Sequence, residues 1–353
     1  MKIFIALFDK DEIYASRLLK GLQMGYAKQT SVKCFSDEKL FISELETQYF
    51  DIAIMDQACM HLKSYVPDRT ITALLVKDNS IEEVGGIPTI GRFQGVDNIF
   101  KKIVSVYAEN SSGVKVKGYD KDSKRMLFTS AQGGTGTSTL AAAYAIYLAN
   151  KGEKVFYLNL ETFGTASSFF EGSGAGSFSD VIYALKRTTV NFPIKLQSII
   201  KKDSCGVEFV DGCRNAFDML ELQDSEISKL MEGISTVNNY DVIIIDYSGA
   251  LTSRQQKLLK EYSDSVIYVN DGSQIGNIKF NKFCEALHVI EKKQNCSILK
   301  KVGLVYNRFS SQTSTQLVQL PVALLGGIHR IEGLSGRDLA NELSRHEMMS
   351  NIS

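Results

Sequence analysis

Two kinds of apolar pattern alternate along this chain. Short continuous runs at residues 3–8, 50–56 (FDIAIMD), 154–160 (KVFYLNL) and 240–247 (YDVIIIDY) show no sustained polar face and read as strands buried on both sides. Between them lie segments with helical spacing, such as Ile13, Leu18, Leu19 and Leu22. Further strands are predicted at 31–35, 71–76 and 87–90, and helices at 39–47 and 96–107. Residues 1–108 thus alternate strands with helices, the order of a small doubly wound parallel sheet. Residues 109–124 (ENSSGVKVKGYDKDSK) carry almost no large apolar side chain and mark an exposed connector. From 125 to 353 the alternation resumes. Strands are predicted at 126–128, 154–160, 206–210, 240–247, 265–269, 302–306 and 324–330, and helices at 140–149, 178–187, 192–200 and 225–234. A second doubly wound α/β domain follows. Segment 164–179 (GTASSFFEGSGAGSFS) is rich in Gly and Ser and is expected to be mobile or ordered only by a partner.

Composition narrows the setting more than the function. Formal net charge is zero, so no long-range field draws the molecule to nucleic acid, and the pairs Lys292/Lys293 and Lys300/Lys301 read as solvated faces. Six scattered cysteines without a C-x-x-C pair, beside only four histidines, argue against a zinc site and for reduced thiols. The apolar start MKIFIALF is too short for a secretion signal, and no run reaches membrane-spanning length. Segment 339–352 is faintly amphipathic and not basic, a poor surface anchor. A cytoplasmic protein is expected, with membrane contact at most indirect and no sequence-specific nucleic acid partner.

Candidate chemistry concentrates at 126–140, MLFTSAQGGTGTSTL, where a strand runs through Gly133, Gly134, Thr135, Gly136, Thr137, Ser138 and Thr139 into an alanine-rich helix. Such a turn aims backbone N–H groups and a helix dipole at one anion, and a hydroxyl at the helix start can reach a bound Mg²⁺. Two other readings stay open: a dinucleotide fold with Glu161 as the ribose acid, and a tight turn with no ligand. Asp246 ends the 240–247 strand, where an acid can orient a Mg²⁺ shell opposite Ser138 or simply cap a turn.

The loop resembles the deviant Walker A pattern of the ParA/MinD family, K-G-G-x-G-K-[ST]-T, through Gly133, Gly134, Gly136, Ser138 and Thr139. Gln132 stands at the signature lysine and Thr137 at the phosphate lysine. The resemblance implies a P-loop fold that binds ATP with Mg²⁺, with Ser138 and Asp246 on the metal. Asn159 and Glu161 stand where that family has two aspartates, and Glu161 keeps a carboxylate for positioning the attacking water; its plainer reading is a surface loop acid. Asn307 and Arg308 resemble the family's Asn-Arg element, whose Asn reads the base while the neighbouring Arg can stack on it. Without the lysines, Arg254, Lys279 or a partner subunit are candidates to supply positive charge, and hydrolysis is expected to be slow or absent.

The first domain resembles the receivers of response regulators, with Asp56 at the phosphoacceptor position. Ungapped alignment puts Leu7 and Phe8 at the family's acid pair, with Asp9 and Asp11 nearby, and Arg92 in place of the fifth-strand lysine. A degenerate, non-phosphorylated receiver used for protein contact is expected; Asp56 as a turn acid is the alternative. Receiver followed by ParA/MinD-like domain is the layout of TadZ/CpaE proteins. That resemblance implies a homodimeric hub, with nucleotide near the dimer interface, that meets other pilus-assembly proteins of the Flp type at a cell pole. An active switch cycling on membrane or nucleoid, and a response regulator phosphorylated at Asp56, remain the competing readings.

Overall fold

The structure, a computed structural model, describes residues 2–111 and 123–352. Residues 112–122, most of the expected connector, lie outside the described residues. The chain divides into two compact units. The first takes 2–111 with Ser173–Ala175 and Ala184–Ile199, and the second takes 123–172, Gly176–Tyr183 and 200–352.

The first stretch runs β1 (Ile3–Phe8), α1 (Glu12–Tyr26), β2 (Thr30–Phe35), α2 (Glu38–Thr47), β3 (Ile52–Asp56), β4 (Ile71–Val76), β5 (Glu83–Val84), β6 (Ile87–Gly91) and α3 (Val96–Glu109). The sheet order is β2-β1-β3-β4-β6-β5, parallel except for the β5–β6 hairpin. Continuous apolar strands feed both faces, as a doubly wound sheet requires. Ile3, Ile5 and Leu7 pack with Leu18, Leu22, Ile99 and Ile103, while Ala6 and Phe8 pack with Phe41, Leu45 and Leu62 on the other side. Asp11 and Asp37 start α1 and α2 by accepting from the N–H groups of Tyr14 and Leu40. After β3 comes a kinked 3-10 segment, Gln57–Tyr65, which no periodicity announced.

The chain continues through β7 (Lys124–Thr129), α4 (Thr137–Asn150), β8 (Val155–Asn159), α5 (Phe178–Lys186), α6 (Phe192–Ile199), β9 (Lys201–Lys202), β10 (Glu208–Phe209), α7 (Ala216–Leu220) and α8 (Ile227–Val237). It ends with β11 (Val242–Asp246), α9 (Ser253–Glu261), β12 (Ser265–Asn270), α10 (Gln274–Gln294), β13 (Val302–Phe309), β14 (Ala323–His329) and α11 (Gly336–Ser344). The second sheet is ordered β14-β13-β12-β7-β11-β8-β10-β9, parallel apart from β9. α4 is apolar on every side, and Leu140–Ile146 are buried against Met126, Phe128, Tyr157 and Ile244.

Three expectations change. Segment 164–179 is packed rather than loose: Ala166, Phe169, Phe170 and Phe178 are buried, and the phenylalanine area outweighs the freedom of the glycines and serines. The 339–352 tail is core, with Ala340, Leu343, Met348, Met349 and Ile352 buried among the residues around α4. Most tellingly, the helix expected at 192–200 belongs to the first unit. Ile194 is buried with Ile103 and Val104, Asn191 N–H donates to the Ala108 carbonyl at 3.0 Å, and Lys195 Nζ donates to Ser105 Oγ at 2.6 Å. Among the described residues no helix is long and apolar enough to cross a membrane.

Ile194→Ala should therefore weaken the first unit by about 2–4 kcal/mol through the cavity it leaves. Hydrogen exchange checks this: amides of β1, β3 and α3 should lose protection while those of β7 and β11 keep theirs.

Candidate functional site

The loop after β7 is shaped by two glycines in the left-handed region, Gly134 at φ 80° and Gly136 at φ 78°. A Cβ on Gly136 would lie 2.5 Å from Asn307 Nδ2. The loop is held from behind: Asn307 Nδ2 donates to the Thr135 carbonyl at 2.8 Å, and Arg308 Nη1 donates to the Gly134 carbonyl at 2.6 Å. In a trans peptide the next N–H points opposite to the carbonyl, so these bonds turn the amides of Thr135 and Gly136 away from Asn307 and Arg308. At the loop's base, Ala131 N–H donates to Tyr268 Oη at 3.1 Å and Gln132 N–H to Ser130 Oγ at 3.1 Å.

Neither lysine position carries a cation. Gln132 donates through Nε2 to Asp271 Oδ2 at 2.9 Å, and its Oε1 is buried without a partner. Thr137 is buried and pairs its hydroxyl with that of Thr135 at 2.9 Å. Arg254 is committed elsewhere, to Asp224 Oδ1 at 3.2 Å and to the Leu222 carbonyl, which removes it as the substitute charge. Lys279 lies exposed on α10.

Two carboxylates meet the helix start. Asp246, at the carboxyl end of β11, is 0% exposed. Its Oδ2 accepts from Tyr157 Oη at 2.7 Å and Asn159 Nδ2 at 2.8 Å, while its Oδ1 has no partner. Ser138 Oγ donates to Glu161 Oε2 at 3.3 Å, and Asn159 Oδ1 accepts the Glu161 N–H at 3.0 Å. Burial pushes Asp246 up to about 7, and the nearby charge of Glu161 adds to the rise. Burial also raises Glu161. A buried, orphaned carboxylate oxygen beside a second carboxylate and a hydroxyl is a donor set that a divalent cation would satisfy. The residues present therefore fit Mg²⁺ and a phosphate chain.

The expected site residues Gly133 to Thr139, Glu161, Asp246, Asn307 and Arg308 come together at one end of the sheet. Their division of labour differs from expectation at two points. Asn307 Nδ2, expected at a base edge, and Nη1 of Arg308, expected to stack on the base, brace the loop, and Glu161 is bound to Ser138. Tyr157 went unnoticed because it sits in an apolar strand; the signal was a phenol in a fully buried run, which must find an acceptor.

The receiver-like site is assembled in the first unit at the carboxyl ends of β1, β3 and β6. Asp9 and Asp11 belong to it, whereas Leu7 and Phe8, at the ungapped acid-pair positions, are buried in β1. Arg92 fills the centre. Its Nη1 lies 3.1 Å from Asp9 Oδ2 and bonds Asp56 Oδ2, its Nη2 lies 3.6 Å from Asp11 Oδ2, and its guanidinium covers the Tyr14 ring at 4.2 Å. Burial raises Asp9, against the opposing pull of the Asp11 N–H and of Arg92. With the Arg92 guanidinium lying among Asp9, Asp11 and Asp56, this cluster as it stands does not fit the Mg²⁺ that receivers use.

A family model described as TadZ-like, receiver domain, matches residues 1–108, and one described as CobQ/CobB/MinD/ParA nucleotide binding domain matches 126–342. Among solved structures the chain is similar to a ParA family ATPase from Chlorobium tepidum TLS, at 16% identity and TM-score 0.53, over 65% of this chain and 97% of that one. It is also similar to the septum site-determining protein MinD complexed with Mg-ADP from Pyrococcus horikoshii OT3, at 19% identity and TM-score 0.49, over 63% and 86%. At such identities the first likeness speaks for the fold. No curated protein matches the sequence. The chain belongs to the CobQ/CobB/MinD/ParA nucleotide-binding family and carries a TadZ-like receiver domain ahead of it, the TadZ/CpaE-like architecture.

Proposed function

We propose that this chain binds ATP with Mg²⁺ at the loop between β7 and α4, holds it with little turnover, and serves as a nucleotide-dependent dimeric hub in the assembly of Flp-type pili at a cell pole. The observation that carries the reading is the fully buried Asp246 at the carboxyl end of β11, whose Oδ1 has no hydrogen-bond partner. Asp246 and Ser138 would hold the cation, and the amides and hydroxyls of Gly133 to Thr139 would hold the phosphates. The bound cation would neutralise phosphate charge. Glu161 is engaged by Ser138, which supports a phosphate-metal role over ribose binding in a dinucleotide fold.

Slow turnover follows from charge. Oxygens that gain negative charge in phosphoryl transfer need cations aimed at them. Here the loop has no lysine, Gln132 is tied to Asp271, Arg308 directs Nη1 to the Gly134 carbonyl and Arg254 is paired with Asp224. The pilus, polar and dimeric parts of the proposal rest on the match to the TadZ-like receiver domain and on the layout it shares with TadZ/CpaE proteins.

Calorimetry on the full chain should show ATP binding that depends on Mg²⁺, and Ser138→Ala or Asp246→Asn should weaken the Mg²⁺-dependent part by roughly ten- to a hundredfold, the scale of losing a charge-assisted contact. No affinity for adenine nucleotides with or without the metal would sink the reading. Turnover in the range typical of kinases, about 1–100 s⁻¹, would refute the slow-hydrolysis part alone.

A pH experiment gives a separate check. Because the folded state raises Asp246 above its unfolded value, its ionisation costs stability progressively as pH climbs from about 4 to about 7, and that cost is complete above 7. Asp246→Asn keeps an acceptor for Tyr157 and Asn159. It should therefore melt higher than the parent at pH 8 without nucleotide, with the gap closing toward pH 4. A variant that melts lower at pH 8 would show that the carboxylate is not strained in the empty site.

A further inference from the structure

The acidic cluster of the first unit has the makings of a cation site and already contains a cation. Its three carboxylates come from two connections, Asp9 and Asp11 after β1 and Asp56 at the end of β3, and the guanidinium comes from the residue that follows β6. Arg92 is held at its backbone and at the end of its guanidinium, while its buried Nε has no partner. Its N–H donates to the Val76 carbonyl at 2.8 Å, its carbonyl accepts from Tyr14 Oη at 3.2 Å, and its side chain is 8% exposed. Both oxygens of Asp56 are in use, Oδ1 by the Ala58 N–H at 2.8 Å and Oδ2 by Arg92.

We propose that Arg92 is a built-in counter-ion, covalent and permanent, that stands where a receiver takes a divalent cation and so closes the site to metal and to phosphoryl transfer. A guanidinium stays protonated throughout the range in which proteins work, so the charge it supplies cannot be withdrawn. A divalent ion needs oxygen ligands at about 2.0–2.6 Å, and Asp9 Oδ2, Asp11 Oδ2 and Asp56 Oδ2 already face the guanidinium, the first as an ion pair without a hydrogen bond. The three connections are thereby cross-linked around one fixed charge. The domain presents a single surface that does not respond to phosphodonors or to the magnesium level, which suits a constitutive docking module.

An ordinary buried ion pair would behave differently. If Arg92 only neutralised its neighbours, its loss would leave three repelling acids and nothing more. If it stands in for a cation, its loss opens a site that a cation can refill.

The test uses the full chain with Asp246→Asn in the background to silence the second domain's cation position. Terbium luminescence is the readout, because Tyr14 lies beside the cluster and can sensitise a bound ion. The Arg92 parent should give no signal from this site, whereas Arg92→Ala should gain one, competed by Mn²⁺ with a dissociation constant on the order of 10⁻⁴–10⁻³ M. Mn²⁺ should also restore the melting temperature that Arg92→Ala loses. A folded Arg92→Ala that binds no more terbium than the parent overturns the proposal. So does a phosphoryl adduct on Asp56 of the unaltered protein after treatment with acetyl phosphate and Mg²⁺, read by intact mass and peptide mapping. Should Arg92→Ala fail to fold, Arg92→Gln is read in the same way, and the adduct measurement on the unaltered protein stands by itself.

Discussion

The nucleotide face of the second domain depends on one in-register row. Parallel pairing of β7, β11 and β8 sets Phe128, Asp246 and Asn159 side by side at the carboxyl ends of their strands. From that row the side chain of Asn159 and, two residues back, that of Tyr157 reach the same oxygen of Asp246. A slip of one residue in any of these strands would swap faces and send Asp246 into the apolar layer. The apolar runs flanking it resist such a slip, since Ile243, Ile244 and Ile245 are all fully buried. Packing of apolar side chains therefore decides where the carboxylate of Asp246 sits.

The two units deal with anionic chemistry in opposite ways. The β7–α4 loop carries Gln132 and Thr137 where the resemblance expected lysines, and its Ser138 is bonded to Glu161. The receiver-like cluster has the carboxylates but meets them with a guanidinium of its own. In the second domain the acids Asp246 and Glu161 meet hydroxyl, phenol and amide donors, whereas in the first the acids meet Arg92. Asp246 and Asp9 show the contrast: both rise on burial, yet Asp9 faces Arg92 and Asp246 faces only donors and another acid.

Legibility in the sequence followed the range of the interaction. Strands buried on both sides, such as Ile3–Phe8 and Val242–Asp246, were readable because a continuous apolar run has few other solutions. The glycine loop and the acid at the end of β11 were readable because each is local. α9 and α10 were missed: α9 is strongly polar, and α10 spreads its buried residues thinly over 21 positions. The bracing of Gly134 and Thr135 by Arg308 and Asn307 spans more than 170 residues, and no local pattern encodes it. Arg92 could be placed in the receiver site by its position after the last parallel strand, but its contact with three acids at once is a property of the fold.

The membership of α6 in the first unit bears on how the protein emerges from the ribosome. Synthesis runs from the N-terminus at about 5–20 residues per second, so the face of α3 that Ile194 covers is made well before its cover. In that interval the sheet of the first unit waits with Ile103 and Val104 short of a neighbour, while the glycine loop and β8 are already leaving the exit tunnel. Vectorial folding of the N-terminal unit as an independent early intermediate is thus incomplete by design of the chain order.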